Sequence, residues 1–268
     1  MRKCLFMTIL VTICLSMSVT FADSPAKAVI DKSSLNSGII KAQYTSQDSK
    51  DTRIMIEKEG KKYTYILKND GTLESFPLQM GNGSYNISIL ENIGGTKYSY
   101  VLKETVELNL KDPNKVFLSS VQNVNWDETM KAIKKMKEVT KDAKNDTEKI
   151  SMVYQYVVKN YSYDYVKFKN LPTDYIPVID RTLAEGKGIC YDYSSLFASM
   201  LRSAGIPVKL VKGYASNVEG YHAWNEVYIS STGKWIPVDS TFDSQLKAAS
   251  KKYTMEKNSQ LYKTVNIY

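Results

Sequence analysis

The order of hydrophobic patterns predicts an α+β chain: a small all-β sandwich, then helices, then a short antiparallel run. Three observations carry this. Residues 36 to 110 alternate apolar and polar side chains in short segments broken by glycine turns. Residues 127 to 160 switch to helical spacing. After a further helical stretch, the alternating pattern returns three times between residues 208 and 239.

The first segment stands apart. Met1-Arg-Lys-Cys4 is followed by an apolar run from Leu5 to Val19 and by Thr20-Phe-Ala22. A basic start, an apolar stretch and a small-residue end have the layout of a secretory signal. The run is short for a membrane span, which takes ~20 residues. Residues 1–22 are therefore expected to be a cleaved signal peptide. The mature protein is then secreted or held at the cell surface, with no stable membrane span.

A β-sandwich of the immunoglobulin-like kind is expected over residues 30–112. Its strands read as Arg53–Glu57, Lys62–Leu67, Tyr85–Ile89, Lys97–Leu102 and Thr105–Leu110. Glu59-Gly-Lys61, Asn69-Asp-Gly71, Gly81-Asn-Gly83 and Gly94-Gly95 mark the turns. Asp112-Pro-Asn114 marks the boundary to a second domain at 113–268. There Asp127 is expected to open a helix with Trp126, Met130, Ile133, Met136 and Val139 on one side and a lysine-rich wet face. Asn145 is expected to cap the next helix, with Ile150, Val153, Tyr154 and Val157 inward. Residues 161–181 read as a loop-rich connection. A helix from Tyr191 to Ser203 ends at Ala204-Gly-Ile-Pro207. Val208–Tyr214, His222–Ile229 and Lys234–Asp239 follow as strands.

Charge and composition narrow the function classes. The 268 residues carry 36 Lys and Arg against 28 Asp and Glu, a formal charge of +8. Loss of Arg2 and Lys3 with the signal leaves a basic mature chain, suited to anionic surfaces such as wall polymers. No dense basic stripe interleaves with stacking aromatics, so nucleic acid is not an expected partner. Of three cysteines, Cys4 and Cys14 fall in the signal, leaving Cys190 beside the single histidine, His222. An internal disulfide is thereby excluded for the mature chain. One Cys and one His do not make the usual zinc site, so no metal and no cofactor are expected.

These two residues carry the chemistry. Cys190 follows Gly186-Lys-Gly-Ile189 and stands at a helix start, where free N–H groups and the helix dipole favour a thiolate and bind an oxyanion. His222 opens a strand that can aim its ring at that helix start. Asp239 ends the next strand of the hairpin, where it can accept from one imidazole nitrogen and fix the tautomer. The candidate set is Cys190 as nucleophile, His222 as base and acid, and Asp239 as orienter. Trp224 and Trp235 fit either an acyl channel or strand-face packing. Tyr163, Tyr191 and Asp192 fall at the rim of the same cleft without a definite role.

Gly188-Ile-Cys190-Tyr-Asp-Tyr-Ser-Ser-Leu196, Leu201-Arg-Ser-Ala-Gly-Ile-Pro207, Gly213-Tyr214, His222-Ala-Trp-Asn-Glu-Val-Tyr228 and Trp235-Ile-Pro-Val-Asp-Ser-Thr241 occur in order. This combination resembles the transglutaminase-like core, with weaker similarity at Asp146–Ile150 and Tyr163-Asp164. The resemblance implies an α+β, papain-like thiol-protease core with Cys190, His222 and Asp239 as its triad. It also implies a thioester mechanism. Cys190 attacks a glutamine or peptide carboxamide, and the acyl group passes to an amine (crosslinking) or to water (deamidation). Relatives on this core are peptidases or amidases, so hydrolytic cleavage is the second expectation. A non-catalytic surface-binding module is the third. The expected partner is a protein or peptide substrate at the cell wall or surface.

Overall fold

Two hydrophobic cores organise the described residues, one between two β-sheets and one around a buried helix. The computed structural model describes residues 27–46 and 50–268. The expected signal segment, with Cys4 and Cys14, lies outside the described residues.

The first core belongs to seven strands: β1 (Lys27–Asp31), β2 (Ile39–Thr45), β3 (Thr52–Lys58), β4 (Lys61–Ile66), β5 (Glu74–Pro77), β6 (Gly83–Gly94) and β7 (Lys97–Leu108). They form two antiparallel sheets, β1-β2-β5 and β4-β3-β6-β7. Register explains the shared face. Ile54 pairs with Tyr65 and Ile89, and Ile56 with Tyr63 and Ile87. The period of two then sends all six inward, toward the buried Ile40–Phe76 pair of the other sheet. β7 is one strand where the alternation predicts two. Ile89 pairs with Leu102 and Leu90 with Tyr100, so Val101 has no ladder partner. This bulge breaks the alternation without ending the strand.

Residues 113–268 contain α1 (Lys131–Val139), α2 (Asp146–Asn160), β8 (Ser162–Tyr163), α3 (Tyr165–Lys169) and α4 (Ile179–Glu185). β9 (Lys187–Gly188), α5 (Cys190–Ser203), β10 (Val208–Ala215), β11 (His222–Ile229), β12 (Lys234–Val238), α6 (Ser240–Ala248) and β13 (Tyr262–Ile267) follow. β12-β11-β10-β13 form an antiparallel sheet, and β8 pairs with β9 in parallel. α5 packs on this sheet and is buried from Tyr191 to Arg202. Leu196, Phe197, Met200 and Leu201 are fully covered, each such burial contributing roughly 1.5–3 kcal/mol.

Asp127 does not open α1. Its carboxylate accepts from Thr129 N at 2.7 Å and closes a turn, and the helix starts at Lys131. The free N–H groups there are capped from another element: Asp180 accepts from Lys131 N at 3.0 Å and Ala132 N at 2.8 Å. Asn145 caps α2 as its sequence position predicts, accepting from Glu148 N at 2.9 Å. The 161–181 connection carries β8, α3 and the start of α4 where a loop is expected. Asp164 caps α3 by accepting from Val166 N and Lys167 N.

A buried cation joins the parts. Arg202 on α5 donates to the carbonyls of Val208, Ser119 and Tyr268, each at 2.8 Å. It thereby ties α5 to β10, to the connection after the sandwich and to the last residue. Tyr268 packs edge-on to Tyr63 and Tyr65 of the sandwich.

Candidate active site

Cys190 is the first residue of α5 and is half-buried. The loop before it is held by Asp192, which is fully buried. Asp192 Oδ2 accepts from Ile189 N at 2.9 Å and pairs with Lys167 Nζ at 2.8 Å, while Oδ1 accepts from Tyr175 OH. Ile189 has no side-chain acceptor, so the N–H groups of Cys190 and Tyr191 have no partner within the helix. Glycine is required at 188 for a packing reason: a Cβ there would sit 2.6 Å from Asp192 Cβ.

His222 opens β11, opposite Gly213 of β10. Here too glycine permits close approach, because a Cβ on Gly213 would lie 2.1 Å from Lys263 O and 2.9 Å from the Trp224 ring. The His222 ring is 4% exposed. Its Nε2 donates to Asp239 Oδ2 at 2.8 Å, and the ring lies close enough to Cys190 for the two side chains to interact electrostatically. With Nε2 on Asp239, Nδ1 is left for the sulfur. Burial pushes the imidazole pKa down. The Asp239 charge, its hydrogen bond and the contact with Cys190 outweigh this and raise it to about 10.

Asp239 is fully buried and does more than the hairpin geometry suggests. β12 ends at Val238, which pairs with Asn225, so Asp239 is not directly opposite His222. It is the N-cap of α6. Oδ1 accepts from Phe242 N at 2.9 Å, which turns Oδ2 toward His222. Tyr262 OH donates to the same Oδ2 at 3.1 Å. Trp224 fills the space between: its ring lies 6.3 Å from His222 at 23° and 5.0 Å from Tyr262.

The structure thus brings all three sequence-predicted residues together. It does not place Trp224 or Trp235 in an acyl channel. Trp224 is 1% exposed beneath the histidine. Trp235 packs edge-on to Phe117 under the Lys209 ammonium, against the sandwich core. Tyr163 does lie beside the site; burial first and then the Cys190 charge raise its pKa above the usual tyrosine range. Two residues escape the sequence reading. Tyr262 gives no local signal, since β13 joins the sheet only through pairing with β10. Lys212 does give one: it interrupts the inward face of a strand pattern. Among the described residues, no group of three or more His, Cys, Asp or Glu stands where it could hold a metal ion.

Residues 133–240 match the model of the transglutaminase-like superfamily core. The chain carries a transglutaminase-like core domain, of mixed α/β structure, behind N-terminal all-β sheets. It is 33% identical over 123 residues to the uncharacterized protein YebA of Bacillus subtilis (strain 168), covering 38% of this chain and 16% of that protein. It is 29% identical over 120 residues to the kyphoscoliosis peptidase of Homo sapiens, covering 41% of this chain and 18% of that one. The chain therefore spans less than a fifth of each of these curated relatives. Among solved structures, the periplasmic domain of TgpA from Pseudomonas aeruginosa superposes with a TM-score of 0.37 at 15% identity. That alignment covers 83% of this chain and 77% of that one.

Proposed function

We propose that this chain is a thiol enzyme that forms a thioester between Cys190 and the acyl group of a glutamine or peptide carboxamide, then passes it to an amine or to water. One observation carries the reading: a buried His222, fixed through Nε2 on Asp239, stands close enough to Cys190 for the two to interact electrostatically at the start of α5. In this reading His222 holds the proton that the Cys190 sulfur gives up on attack, and its raised pKa supports the imidazolium form.

Each step has a group to serve it. The Cys190 sulfur attacks the carboxamide carbon, and negative charge moves to the carbonyl oxygen. The free N–H groups at the start of α5 are placed to accept that charge. Collapse of the intermediate breaks the C–N bond, and His222 gives its Nδ1 proton to the departing nitrogen as ammonia or an amine. An amine or water then attacks the thioester carbon. His222 takes the proton from this nucleophile, and the sulfur leaves as thiolate. Asp239 holds the ring in one tautomer and stabilises the imidazolium. Asp192 holds the loop, and Tyr163 borders the sulfur.

Amine and water as acceptors define two products of one acyl-enzyme. The name of the human relative, a peptidase, favours hydrolysis as the second reading. Residues 1–22 support a secreted or surface-held enzyme acting on wall or surface peptides. The basic charge suits the same setting. In this reading the sandwich and the catalytic domain meet near residue 112.

The test is to incubate the mature protein with a labelled primary amine and a panel of glutamine-containing and wall-derived peptides. Mass spectrometry then follows label transfer, ammonia release and new termini. Turnover in any of these that disappears in Cys190→Ala supports the reading, and its kind assigns the acceptor. No turnover in any of them would remove the enzyme reading in favour of a binding module.

A further inference from the structure

The β10 pattern sends Val208 and Leu210 inward under α5, on the side where Asn225 Nδ2 donates to Ser194 O at 3.0 Å. By alternation the next inward position is 212, and a lysine occupies it. Lys212 Nζ sits 3.5 Å over the Tyr191 ring and 5.2 Å from that of Tyr268. Tyr191 is the neighbour of Cys190, and the lysine and the sulfur are close enough to interact electrostatically. No carboxylate among the described residues lies within ion-pair distance of Lys212. Aromatic faces hold the ammonium in place without neutralising it.

Lys212 lines a cavity of about 160 Å³ between the sandwich and the core domain. Two other charged side chains line it, and both are already paired: Arg53 donates to both oxygens of Asp174 at 3.2 Å and to Asp51 Oδ2 at 2.9 and 3.0 Å. Of the charged side chains that line the cavity, the Lys212 ammonium is the one with no ion-pair partner among the described residues. Asn123 lines it too, and is 92% buried. Its Nδ2 donates to Tyr191 OH at 2.6 Å, and its Oδ1 has no hydrogen-bond partner among the described residues. A buried acceptor without a donor and a half-buried cation without an anion are both costly to maintain unless a ligand completes them. Burial also draws the Lys212 pKa down to about 8, against the opposing Cys190 charge.

We propose that Lys212 and Asn123 form a subsite for a carboxylate on the bound peptide, next to the acyl group held by Cys190. The ammonium binds the carboxylate, and Asn123 Oδ1 accepts from the amide N–H beside it. The proposal rests on Cys190 being the reactive nucleophile. It assigns the substrate class as peptides with a free carboxylate close to the scissile carboxamide.

Two alkylating probes of similar size isolate the charge: iodoacetate, which carries a carboxylate, and iodoacetamide, which does not. The rate ratio of the two at Cys190 cancels changes in sulfur reactivity. In the wild type this ratio is expected to exceed that of free cysteine by about fivefold. Lys212→Gln is expected to lower it severalfold, leaving the part due to the His222 imidazolium, and Lys212→Arg to keep it. An equal ratio in wild type and Lys212→Gln overturns the subsite.

A second measurement needs only the wild type, so it stands even if the glutamine variant fails to fold. N-acetylglycine should slow iodoacetamide labelling more than N-acetylglycinamide does at equal concentration, and equal protection overturns the subsite. A Lys212-dependent ratio without turnover of any peptide would keep the anion subsite and remove the catalytic reading. Turnover with a Lys212-independent ratio would do the reverse.

Discussion

Asp239 Oδ2 lies 2.8 Å from His222 Nε2, and Oδ1 of the same carboxylate caps α6 through Phe242 N at 2.9 Å. One side chain thus fixes both the imidazole and the start of the following helix. In Asp239→Asn the amide can keep the cap, but the charge that favours the imidazolium is gone. kcat/KM is expected to fall by two orders of magnitude or more, on the order seen when a triad carboxylate is replaced by an amide. Circular dichroism should show the fold retained, and steady-state kinetics on any substrate found above checks the rate.

The raised His222 pKa makes stability depend on pH with a definite sign. The folded value, about 10, lies above the ordinary value of 6.5. The protonated histidine therefore stabilises the folded state fully below pH 6.5, and this contribution is lost as pH rises toward 10. Thermal unfolding of wild type and His222→Gln from pH 6 to 10.5 should show the gap between the two shrinking across that window. A constant gap would mean that the histidine titrates alike in the folded and unfolded chains.

Tyr262 donates to the carboxylate oxygen that His222 uses, and it lies beyond the matched 133–240 segment. Tyr262→Phe keeps the ring against Trp224 and removes only the hydroxyl. Asp239 then gives its full charge to the imidazole, so the basic limb of the pH–rate profile should move to higher pH. kcat should fall by a few-fold as Asp239 loses one of its fixed partners. A purely structural role would lower stability and leave the pH limb in place.

Asp192 is a buried carboxylate paired with Lys167, and it also ties down Ile189 N and Tyr175. Asp192→Ala leaves the Lys167 charge unpaired and frees the loop before Cys190. Urea unfolding should show a loss of about 3–5 kcal/mol, as for a buried ion pair broken from one side. Lys167→Met should cost less, because the two hydrogen bonds from Ile189 and Tyr175 to Asp192 survive.

Much of this fold is legible in the sequence, because local patterns decide it. The alternation at Arg53–Glu57 and Lys62–Leu67 marks β3 and β4. Asn145 marks the start of α2, and Gly188 and Cys190 mark the loop and helix of the site. What escapes is set by contacts distant in sequence. Lys131 starts α1 because Asp180 caps it from 49 residues away. The Val101 bulge depends on which β6 residue stands opposite. Asp239 can be read as an acid near a strand end, but its double use needs the α6 start and Tyr262 in place. Lys212 is visible as a lysine among inward valine and leucine; its meaning needs the cavity that Arg53, Asp174 and Asn123 complete around it.

The central claim is that Cys190 becomes acylated with His222 as its proton partner. Acid-quenched intact-mass spectrometry of the protein mixed with a reactive peptide substrate tests it directly. The wild type should gain the mass of the acyl group on the tryptic peptide containing Cys190, and added amine should discharge it. Cys190→Ala should show no adduct, and His222→Gln should form it at least a hundredfold more slowly. Product formed at the same rate by Cys190→Ala, or an adduct on another residue, would contradict the account.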